Sequence, residues 1–459
     1  MSPATGAVTE ALGELHARYA DVGDGELADY IPQLALADPD DFGLALVSMD
    51  GHRYSAGDAD VPFTAQSVSK PFVYALALSL LGLDEVSRWV NAEPSGEAFN
   101  GISLERTTGR PANAMVNAGA IVTTALIPHT PGTPRFTRIL DCLSRFAGRS
   151  LDVDEQVYAS ESFTGDRNRA LAYLIRSTGP LPVDPVAAVE TYFRQCAVRV
   201  TALDLAAMAA TLAHGGVNPL TGEQVVSEAV AAQVLAVMAT CGMYDSSGAW
   251  LLRVGLPAKS GVSGGLIAAG PARFGVAAYS PPLDTTGTSV RGRLAIGELS
   301  RRLGLHLMRN PALAASTVTL VTTAGDLPTA PAAGHERAAH EDVAVVAAQG
   351  ALDFTAAERV LHALDEAGPE GTGAVLDLVR VTGIGGVARA MLRDGLVRLT
   401  ADGLRTAVAD PDGLLRRPGH EDGDPRIFAT REEAVDWCLG RGGGGSGPPA
   451  RPGPPPSGP

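Results

Sequence analysis

Cysteine and aromatic residues are scarce in this chain, and long apolar runs are absent. Its 459 residues include 4 cysteines, with no CxxC pair and no zinc-site spacing, and only 5% aromatic residues. We therefore expect reduced, buried thiols rather than a disulfide framework or a metal site. The N-terminus has no basic start followed by an apolar run, and no apolar stretch approaches the length of a bilayer-spanning segment. These absences predict a cytoplasmic protein without a membrane segment.

Positive charge is also in short supply. Lysine and arginine total 36 against 51 aspartate and glutamate residues, which gives a formal net charge of −15. A surface with this excess repels phosphate backbones and anionic lipids, so we expect neither nucleic acid nor a membrane surface as a partner. The 45% hydrophobic and 19% charged residues are typical of a globular protein. Because the chain is too long for one ordinary hydrophobic core, we expect two domains.

Shifts in composition place the domain boundaries. Ala, Thr, Pro and Gly dominate between about residues 309 and 341, and we place a domain junction near residues 310–316. The end of the chain is almost entirely Gly, Pro, Ser and Arg, which cannot bury apolar surface. The predicted organisation is a first domain over 1–310, a second over 316–440, and a disordered tail over 441–459.

The first domain mixes helical patterns with Gly-rich extended segments. Thr201, followed by Asp204 three residues later, is typical of a capped helix start. Helices are predicted over residues 71–81, 201–214 and 227–241, and neighbouring strands over 258–269 and 273–280. Residues 71–81 are apolar on nearly every side, so this helix belongs in the domain centre. Helices around an antiparallel sheet predict an α+β fold.

The second domain alternates strands and helices. Strands are predicted over residues 342–348, 374–379 and 404–409, and helices over 355–367, 385–396 and 430–439. This alternation predicts a small α/β domain of ordinary size.

The first motif with chemical meaning is Ser67-Val68-Ser69-Lys70. On a helix, Ser67 and Lys70 lie on one face, one turn apart, and the helix start directs free N–H groups toward the serine. Burial lowers the pKa of a lysine, and the neutral amine can then accept the serine proton. Read alone, the pattern is equally that of an N-cap serine followed by a surface lysine.

A second motif, Lys259-Ser260-Gly261, lies at the start of a Gly-rich strand. In serine acyl-transfer enzymes of the penicillin-recognising type, a K-[ST]-G triplet on an edge strand lines the active site. There the lysine supplies positive charge for a substrate carboxylate, and the backbone after the triplet offers an N–H to the oxyanion. The order and separation of the two motifs favour the nucleophilic interpretation of Ser67.

With these motifs in place, the chain resembles the bacterial glutaminase family, whose catalytic domain shares the serine β-lactamase and penicillin-binding-protein fold. The matching stretches run in order through the first domain: Tyr30-Ile31-Pro32-Gln33-Leu34-Ala35, Gln66 to Lys70, Glu93-Pro94-Ser95-Gly96 with Phe99-Asn100, Met115-Val116-Asn117-Ala118-Gly119-Ala120, Glu161, Arg167-Asn168, Tyr192 with Gln195-Cys196, Cys241-Gly242-Met243-Tyr244-Asp245, and Ala258 to Val262. Ser263 departs from the family pattern, which has glycine there, and Thr288 departs from the usual asparagine.

The resemblance implies a role for each site residue. Ser67 would be the nucleophile and Lys70 its base, with Tyr192 and Tyr244 as catalytic phenols. The substrate contacts would be Ser67, Asn117, Glu161, Asn168, Tyr192, Tyr244 and the backbone of Val262, with Tyr30 and Lys259 lining the site. The backbone N–H groups of Ser67 and Val262 would form the oxyanion hole. The implied reaction is hydrolysis of L-glutamine to L-glutamate and ammonia, with no metal or organic cofactor, in a homo-oligomer such as a dimer or tetramer.

The second domain resembles a STAS domain of the anti-sigma-antagonist and sulfate-transporter type. The resemblance rests on the order of elements and on residues 375–382, Val-Leu-Asp-Leu-Val-Arg-Val-Thr. Phosphorylated members have a serine after this strand, whereas residues 383–387 contain none, so we expect no phosphorylation switch there. The expected ligand is a protein partner, a nucleotide or the catalytic domain.

Two alternative functions remain open at this level. A β-lactamase or peptidase on the same fold would use the same Ser67 and Lys70, although Glu161 and the paired tyrosines disfavour it. A regulatory sensor would bind an amino acid with a degenerate catalytic domain and signal through the second domain. The intact Ser67–Lys70 pair favours an enzyme.

Overall fold

The computed structural model contains two compact units, Met1–Asn310 and Pro311–Pro459. The residues that the structure describes are 6–96, 101–105, 107–130, 132–179, 181–308, 317–323, 343–367, 372–416 and 425–441. The predicted junction at 310–316, the tail from 442 and the motif residues Phe99 and Asn100 lie outside these ranges or at their edges. Within them, no helix combines the length and apolar character needed to cross a membrane.

The first unit contains twelve helices among its described residues and seven strands. The helices are α1 (Gly6–Tyr19), α2 (Lys70–Leu81), α3 (Leu83–Trp89), α4 (Asn117–Leu126), α5 (Arg135–Ala147), α6 (Glu155–Thr164), α7 (Asp166–Thr178), α8 (Pro185–Cys196), α9 (Ala202–Ala213), α10 (Glu228–Cys241), α11 (Ser247–Arg253) and α12 (Val290–Leu303). The strands are β1 (Gly43–Ser48), β2 (Arg53–Gly57), β3 (Phe63–Thr64), β4 (Arg199–Val200), β5 (Ala258–Ser260), β6 (Gly265–Gly270) and β7 (Phe274–Tyr279). Short 3₁₀ helices lie at Leu34–Leu36, Gln66–Ser69 and Tyr244–Ser246.

One five-stranded antiparallel sheet, in the order β2-β1-β7-β6-β5, separates two hydrophobic cores. Successive side chains of a strand point to opposite faces. Ala45 and Val47 of β1 therefore join the large core made with the helices that include α2, α4 and α9, whereas Leu44 and Leu46 join the core made with α1, α11 and α12. The predicted α+β architecture is confirmed, and both faces of the sheet are buried.

The predicted helices of this unit are present. Helix α2 begins at Lys70 and is buried along most of its length, as its apolar sequence requires. Helix α9 begins after a reciprocal cap in which Asp204 N–H donates to Thr201 Oγ1 and Thr201 N–H donates to the Asp204 carboxylate. Ser227 caps α10 through the Val230 N–H.

The single strand predicted over residues 258–269 is wrong. The chain reverses within it, because Gly261 N–H donates to Gly265 O at 2.8 Å and Gly264 N–H donates to Gly261 O at 3.0 Å. Gly264 has φ +97°, and a Cβ there would lie 2.4 Å from Ser280 O, so only glycine fits this turn. The result is two short antiparallel strands, β5 and β6, with Val262 at the tip between them.

The second unit is a mixed sheet with helices on both faces. Its elements are β8 (Val318–Thr323), β9 (Val343–Leu352), α13 (Phe354–Ala367), β10 (Gly373–Ile384), α14 (Gly386–Ala401), β11 (Arg405–Ala409), β12 (Arg426–Phe428) and α15 (Arg431–Cys438). The sheet order is β12-β11-β10-β9-β8, parallel except for β8 at one edge. Helices α13 and α14 pack on one face and α15 on the other. The predicted alternation is confirmed, whereas the sequence pattern did not indicate β8 and β12.

Candidate active site

The 3₁₀ helix Gln66–Ser69 leads directly into α2 and presents Ser67 at the head of the buried helix. The Lys70 N–H donates to the Ser67 carbonyl, which joins the two helical segments. Gln66, immediately before the serine, has φ +46°. A non-glycine residue in this left-handed region is held there by its surroundings, and such strain is concentrated at functional sites. Ser67 itself is 8% exposed, so its hydroxyl is reached only through a cavity.

That cavity has a volume of about 1010 Å³ and lies wholly within the first unit. Its walls bring together most of the predicted site residues, although they come from distant parts of the chain: Tyr30, Ser67, Asn117, Glu161, Asn168, Tyr192, Tyr244 and Val262. The cavity is also lined by residues from 24–29, 164–167 and 283–294, among which Arg293 and Asp284 form an ion pair.

Lys70 lies behind the cavity wall in a fixed hydrogen-bond network. Its Nζ donates to Asn117 Oδ1 at 2.6 Å, and the same oxygen accepts the Tyr192 hydroxyl at 3.3 Å. Asn117 Nδ2 in turn donates to Asn168 Oδ1 at 3.1 Å. Lys70 is 1% exposed, and burial lowers its pKa to about 8 although Glu161 favours its charged form. A substantial fraction of Lys70 is therefore neutral in mildly alkaline solution.

Lys259, which the sequence predicts to line the site, is also buried. Its Nζ donates to Ser260 O at 2.7 Å and lies 4.0 Å from the centre of the Tyr244 ring. Burial, with the charge of Lys70, lowers the Lys259 pKa well below its usual value. The sequence contains 34 arginines and two lysines, and those two are Lys70 and Lys259. Both positions therefore hold an amine that can lose its proton, which a guanidinium does not.

Tyr244 connects the serine with this buried basic region. Its phenol is hydrogen-bonded to Ser67, and its ring centre lies 5.8 Å from Lys70 Nζ. Burial raises the pKa of Tyr244 to about 12, and the Ser67 contact partly opposes that shift. Tyr244 has φ +54°, so it is the second strained non-glycine residue at the site after Gln66. A neutral phenol next to the nucleophile can both donate and accept a proton.

A buried carboxylate faces the cavity from α6. Glu161 is 4% exposed, and its Oε1 lies 3.1 Å from the Tyr30 hydroxyl, which also lies 3.1 Å from Gln66 Oε1. Burial raises the pKa of Glu161, while hydrogen bonds from Tyr30 and Gln66 and the charge of Lys70 lower it. A cationic group bound beside Glu161 would stabilise its ionised form further.

The β5–β6 turn places Val262 in the cavity wall next to the serine segment. Gly261 packs so closely on that segment that a Cβ would lie 2.9 Å from Val68 Cγ2 and 3.2 Å from Ala65 O. The Val262 N–H donates to no backbone acceptor among the described residues.

The side chains at the two departures from the family pattern, Ser263 and Thr288, are both buried. The Ser263 hydroxyl is buried and has no hydrogen-bond partner among the described residues, which is an unfavourable arrangement. Thr288 is buried, and its N–H donates to Asp284 Oδ1 at 3.2 Å.

Gln66 and Cys196 are site residues to which the sequence assigned no role. Both line the cavity, and Cys196 lies beside Tyr192, with burial raising its thiol pKa to about 12. Both residues lie within motifs that match the family, but the neighbouring sequence does not indicate that their side chains point into the cavity. Among the described residues, no cluster of three or more His, Cys, Asp or Glu side chains is arranged to hold a metal ion.

Comparisons with known proteins show the family to which this chain belongs. The family model described as Glutaminase matches residues 25–308. The glutaminase of Corynebacterium glutamicum is 44% identical over 410 residues, covering 89% of this chain and 95% of that protein. Glutaminase 2 of Bradyrhizobium diazoefficiens is 43% identical over 438 residues, covering 93% of this chain and 70% of that protein.

Solved structures extend the similarity over both units. A crystal structure of Mglu is 44% identical with a TM-score of 0.79, covering 89% of this chain and 99% of that one. Another, of Mglu in its tris and glutamate form, has 39% identity, a TM-score of 0.79 and the same coverage. Because the family model matches more than half of the chain and the curated relatives cover about nine-tenths of it, this protein belongs to the glutaminase family.

Proposed function

We propose that this protein hydrolyses L-glutamine to L-glutamate and ammonia through a serine acyl-enzyme. The observation that carries the proposal is Ser67 hydrogen-bonded to Tyr244 in the wall of a cavity, with the buried, readily deprotonated Lys70 behind it. The family match and the glutaminase relatives support the substrate, and Mglu, a similar structure, has been solved in a glutamate form.

The cavity contains groups that complement the amino-acid end of glutamine. The ionised Glu161 would accept hydrogen bonds from the α-ammonium, which charge-assisted bonding makes strong. Asn168 Nδ2 would donate to the α-carboxylate while its Oδ1 accepts from the Asn117 amide, and the Tyr192 hydroxyl would turn from Asn117 Oδ1 to donate its single proton to the same carboxylate. With that end fixed, the side-chain amide reaches Ser67. Asparagine is shorter than glutamine by one methylene, so its amide would stop short of the serine.

The first half of the reaction forms the acyl-enzyme. Neutral Lys70 takes the Ser67 proton while Oγ bonds to the amide carbon, and the negative oxygen is stabilised by the N–H groups of Ser67 and Val262. The C–N bond then breaks as the nitrogen receives a proton, which Tyr244 relays from Lys70, and ammonia leaves.

The second half returns the enzyme to its starting state. Water attacks the Ser67 ester, Lys70 accepts a proton from that water, and the ester C–O bond breaks. Ser67 Oγ regains a proton and glutamate is released. Every proton and electron pair in both halves is supplied by water, the substrate and these side chains.

Ammonia release from L-glutamine by purified full-length protein tests this function. We expect release from the wild type, none from Ser67→Ala, and nearly none from Lys70→Ala, with L-asparagine as a matched substrate lacking one methylene. Nitrocefin measured alongside tests the β-lactamase alternative. Full activity in Ser67→Ala would refute the mechanism, and calorimetric glutamine binding without ammonia release would favour the sensor.

For the second unit we propose a STAS-like domain that binds a protein or nucleotide partner. Its parallel strands with one antiparallel edge strand, and helices on both faces, support this assignment. For the whole chain we propose a homo-oligomer, as in the resembled family. Sedimentation of the full chain at several concentrations, with and without added nucleotide, tests both proposals.

A further inference from the structure

The three residues proposed to hold the amino-acid end of glutamine come from three successive helices. Glu161 is on α6, Asn168 on α7 and Tyr192 on α8. Helices α6 and α7 meet at Gly165, where a Cβ would lie 2.1 Å from the Phe193 ring of α8. The spacing of the three side chains therefore depends on how closely these three helices are held together.

One carboxylate on the far side of α8 joins all three helices. Glu190 accepts the Tyr158 hydroxyl at 3.0 Å and the Ser162 hydroxyl at 2.9 Å, both from α6. It also accepts Arg169 Nη2, from α7, at 3.0 Å. Arg169 Nη2 further donates to the Ser162 backbone carbonyl, so α6 and α7 are also bonded to each other at this point. We call these four residues the Glu190 cluster.

The members of the Glu190 cluster are sequence neighbours of the recognition residues. Ser162 follows Glu161, and Arg169 follows Asn168. Glu190 precedes Tyr192 by two positions, which at about 100° per residue puts the two side chains on nearly opposite faces of α8. Glu161 and Asn168 thus line the cavity while the residue after each is bonded to Glu190, and Tyr192 lines it from the opposite face of the helix that carries Glu190.

We propose that Glu190 is a positioning residue that sets the spacing of Glu161, Asn168 and Tyr192, and so the affinity for the amino-acid end of the substrate. This inference rests on the proposed function. Glu190 and Arg169 side chains are 28% and 26% exposed, so their contact is partly shielded from solvent. Charge-assisted bonds of this kind are directional, and they hold three helix backbones where a hydrophobic contact would allow sliding.

Loss of the Glu190 carboxylate should weaken substrate binding more than it slows the chemical step. The cluster bonds α6, α7 and α8 to one another and not to the segment that holds Ser67 and Lys70. Interactions made equally in ground and transition states appear in KM. We expect Glu190→Ala to raise KM for glutamine roughly tenfold and to lower kcat less than about threefold. Glu190→Gln keeps an acceptor for the hydroxyls, and we expect it to restore most of the affinity.

The chain offers a matched control on the same two helices. Glu155 of α6 pairs with Arg194 of α8 at 3.2 Å, and the two side chains are 63% and 36% exposed, more than those of Glu190 and Arg169. Glu155→Ala removes an α6–α8 ion pair but leaves the hydrogen bonds of Glu190 in place, with Arg194 still able to stack on the Tyr158 ring, whose centre lies 4.3 Å away. We expect its KM to match that of the wild type.

The experiment measures KM and kcat of full-length wild type, Glu190→Ala, Glu190→Gln and Glu155→Ala, with the melting temperature of each. A KM rise confined to the Glu190 variants supports the inference. Equal KM values in all four, or parallel losses of kcat that follow melting temperature, would overturn it. If Glu190→Ala does not fold, the KM of Glu190→Gln is compared with that of Glu155→Ala, and a higher KM in Glu190→Gln alone supports the inference. If the wild type releases no ammonia, the proposed function is refuted, but the positioning role is not. Calorimetric measurement of glutamine affinity in the same variants then tests the positioning role by itself.

Discussion

The dependence of kcat on pH follows directly from the burial of Lys70. As a general base it must be neutral, and burial lowers its pKa to about 8. Roughly one-tenth of Lys70 is then neutral at about pH 7 and roughly nine-tenths at about pH 9, so kcat should rise about tenfold between them and level off above. A solvated lysine, with a pKa of about 10.4, would instead give about a hundredfold rise that continues beyond pH 9.

The assay is ammonia release at saturating glutamine, because kcat reports groups in the enzyme–substrate complex rather than the titration of free glutamine. Lys70→Arg is the control, since a guanidinium stays charged and should not recover activity in alkali. The two-lysine composition allows an independent measurement. Protein labelled only in lysine gives two side-chain NMR signals, and their titration should show one group near pH 8 and another well below the usual lysine pKa.

Either of two results would refute this reasoning. A kcat that is flat between about pH 6 and pH 9 would mean that Lys70 does not act as the titrating base. A tenfold rise per pH unit that continues to about pH 10 would mean that the Lys70 amine is solvated during turnover.

Three further substitutions test the relay, the helix spacing and stability. Tyr244→Phe removes the phenol bonded to Ser67 and should lower kcat at least about a hundredfold with little change in the melting temperature; near-normal kcat would exclude the relay. Gly165→Ala places a Cβ 2.1 Å from the Phe193 ring and should lower the melting temperature and raise KM; an unchanged melting temperature would contradict the packing. Thr201→Ala removes the α9 cap and should lower the unfolding free energy by about 1 kcal/mol in urea, with kcat unaffected.

The helices and strands that a clear local sequence pattern indicates were predicted well. The apolar sequence of α2 and the cap at Thr201 identified their helices within a residue or so. The β5–β6 turn was not recognised because a Gly-rich run fits a strand and a reversal equally, and only pairing with β7 distinguishes them. Strand β8 was missed because it borders a segment rich in Ala, Thr and Pro, and an edge strand is half exposed and lacks a clear apolar pattern.

The sequence indicated candidate site residues, but it did not indicate the hydrogen bonds between them. The S-x-x-K spacing and the family motifs indicated Ser67, Lys70 and Asn117 from sequence. The bond from Lys70 to Asn117 spans 47 positions and depends on how α2 packs against α4. Lys259 was placed in the lining by analogy with penicillin-recognising enzymes, but the sequence did not indicate its contact with Tyr244, whose ring centre lies 4.0 Å from Lys259 Nζ. Side chains along a strand point alternately to its two faces, and only the tertiary fold determines which face points toward the cavity.

The central claim is that Ser67 carries a glutamyl ester during turnover. Acid quenching of the full-length enzyme during rapid turnover of L-glutamine, followed by digestion and mass spectrometry, measures that ester directly. We expect a glutamyl group on the peptide that contains Ser67, absent in Ser67→Ala and absent without substrate. Rapid ammonia release with no modified peptide, together with retained activity in Ser67→Ala, would contradict the claim.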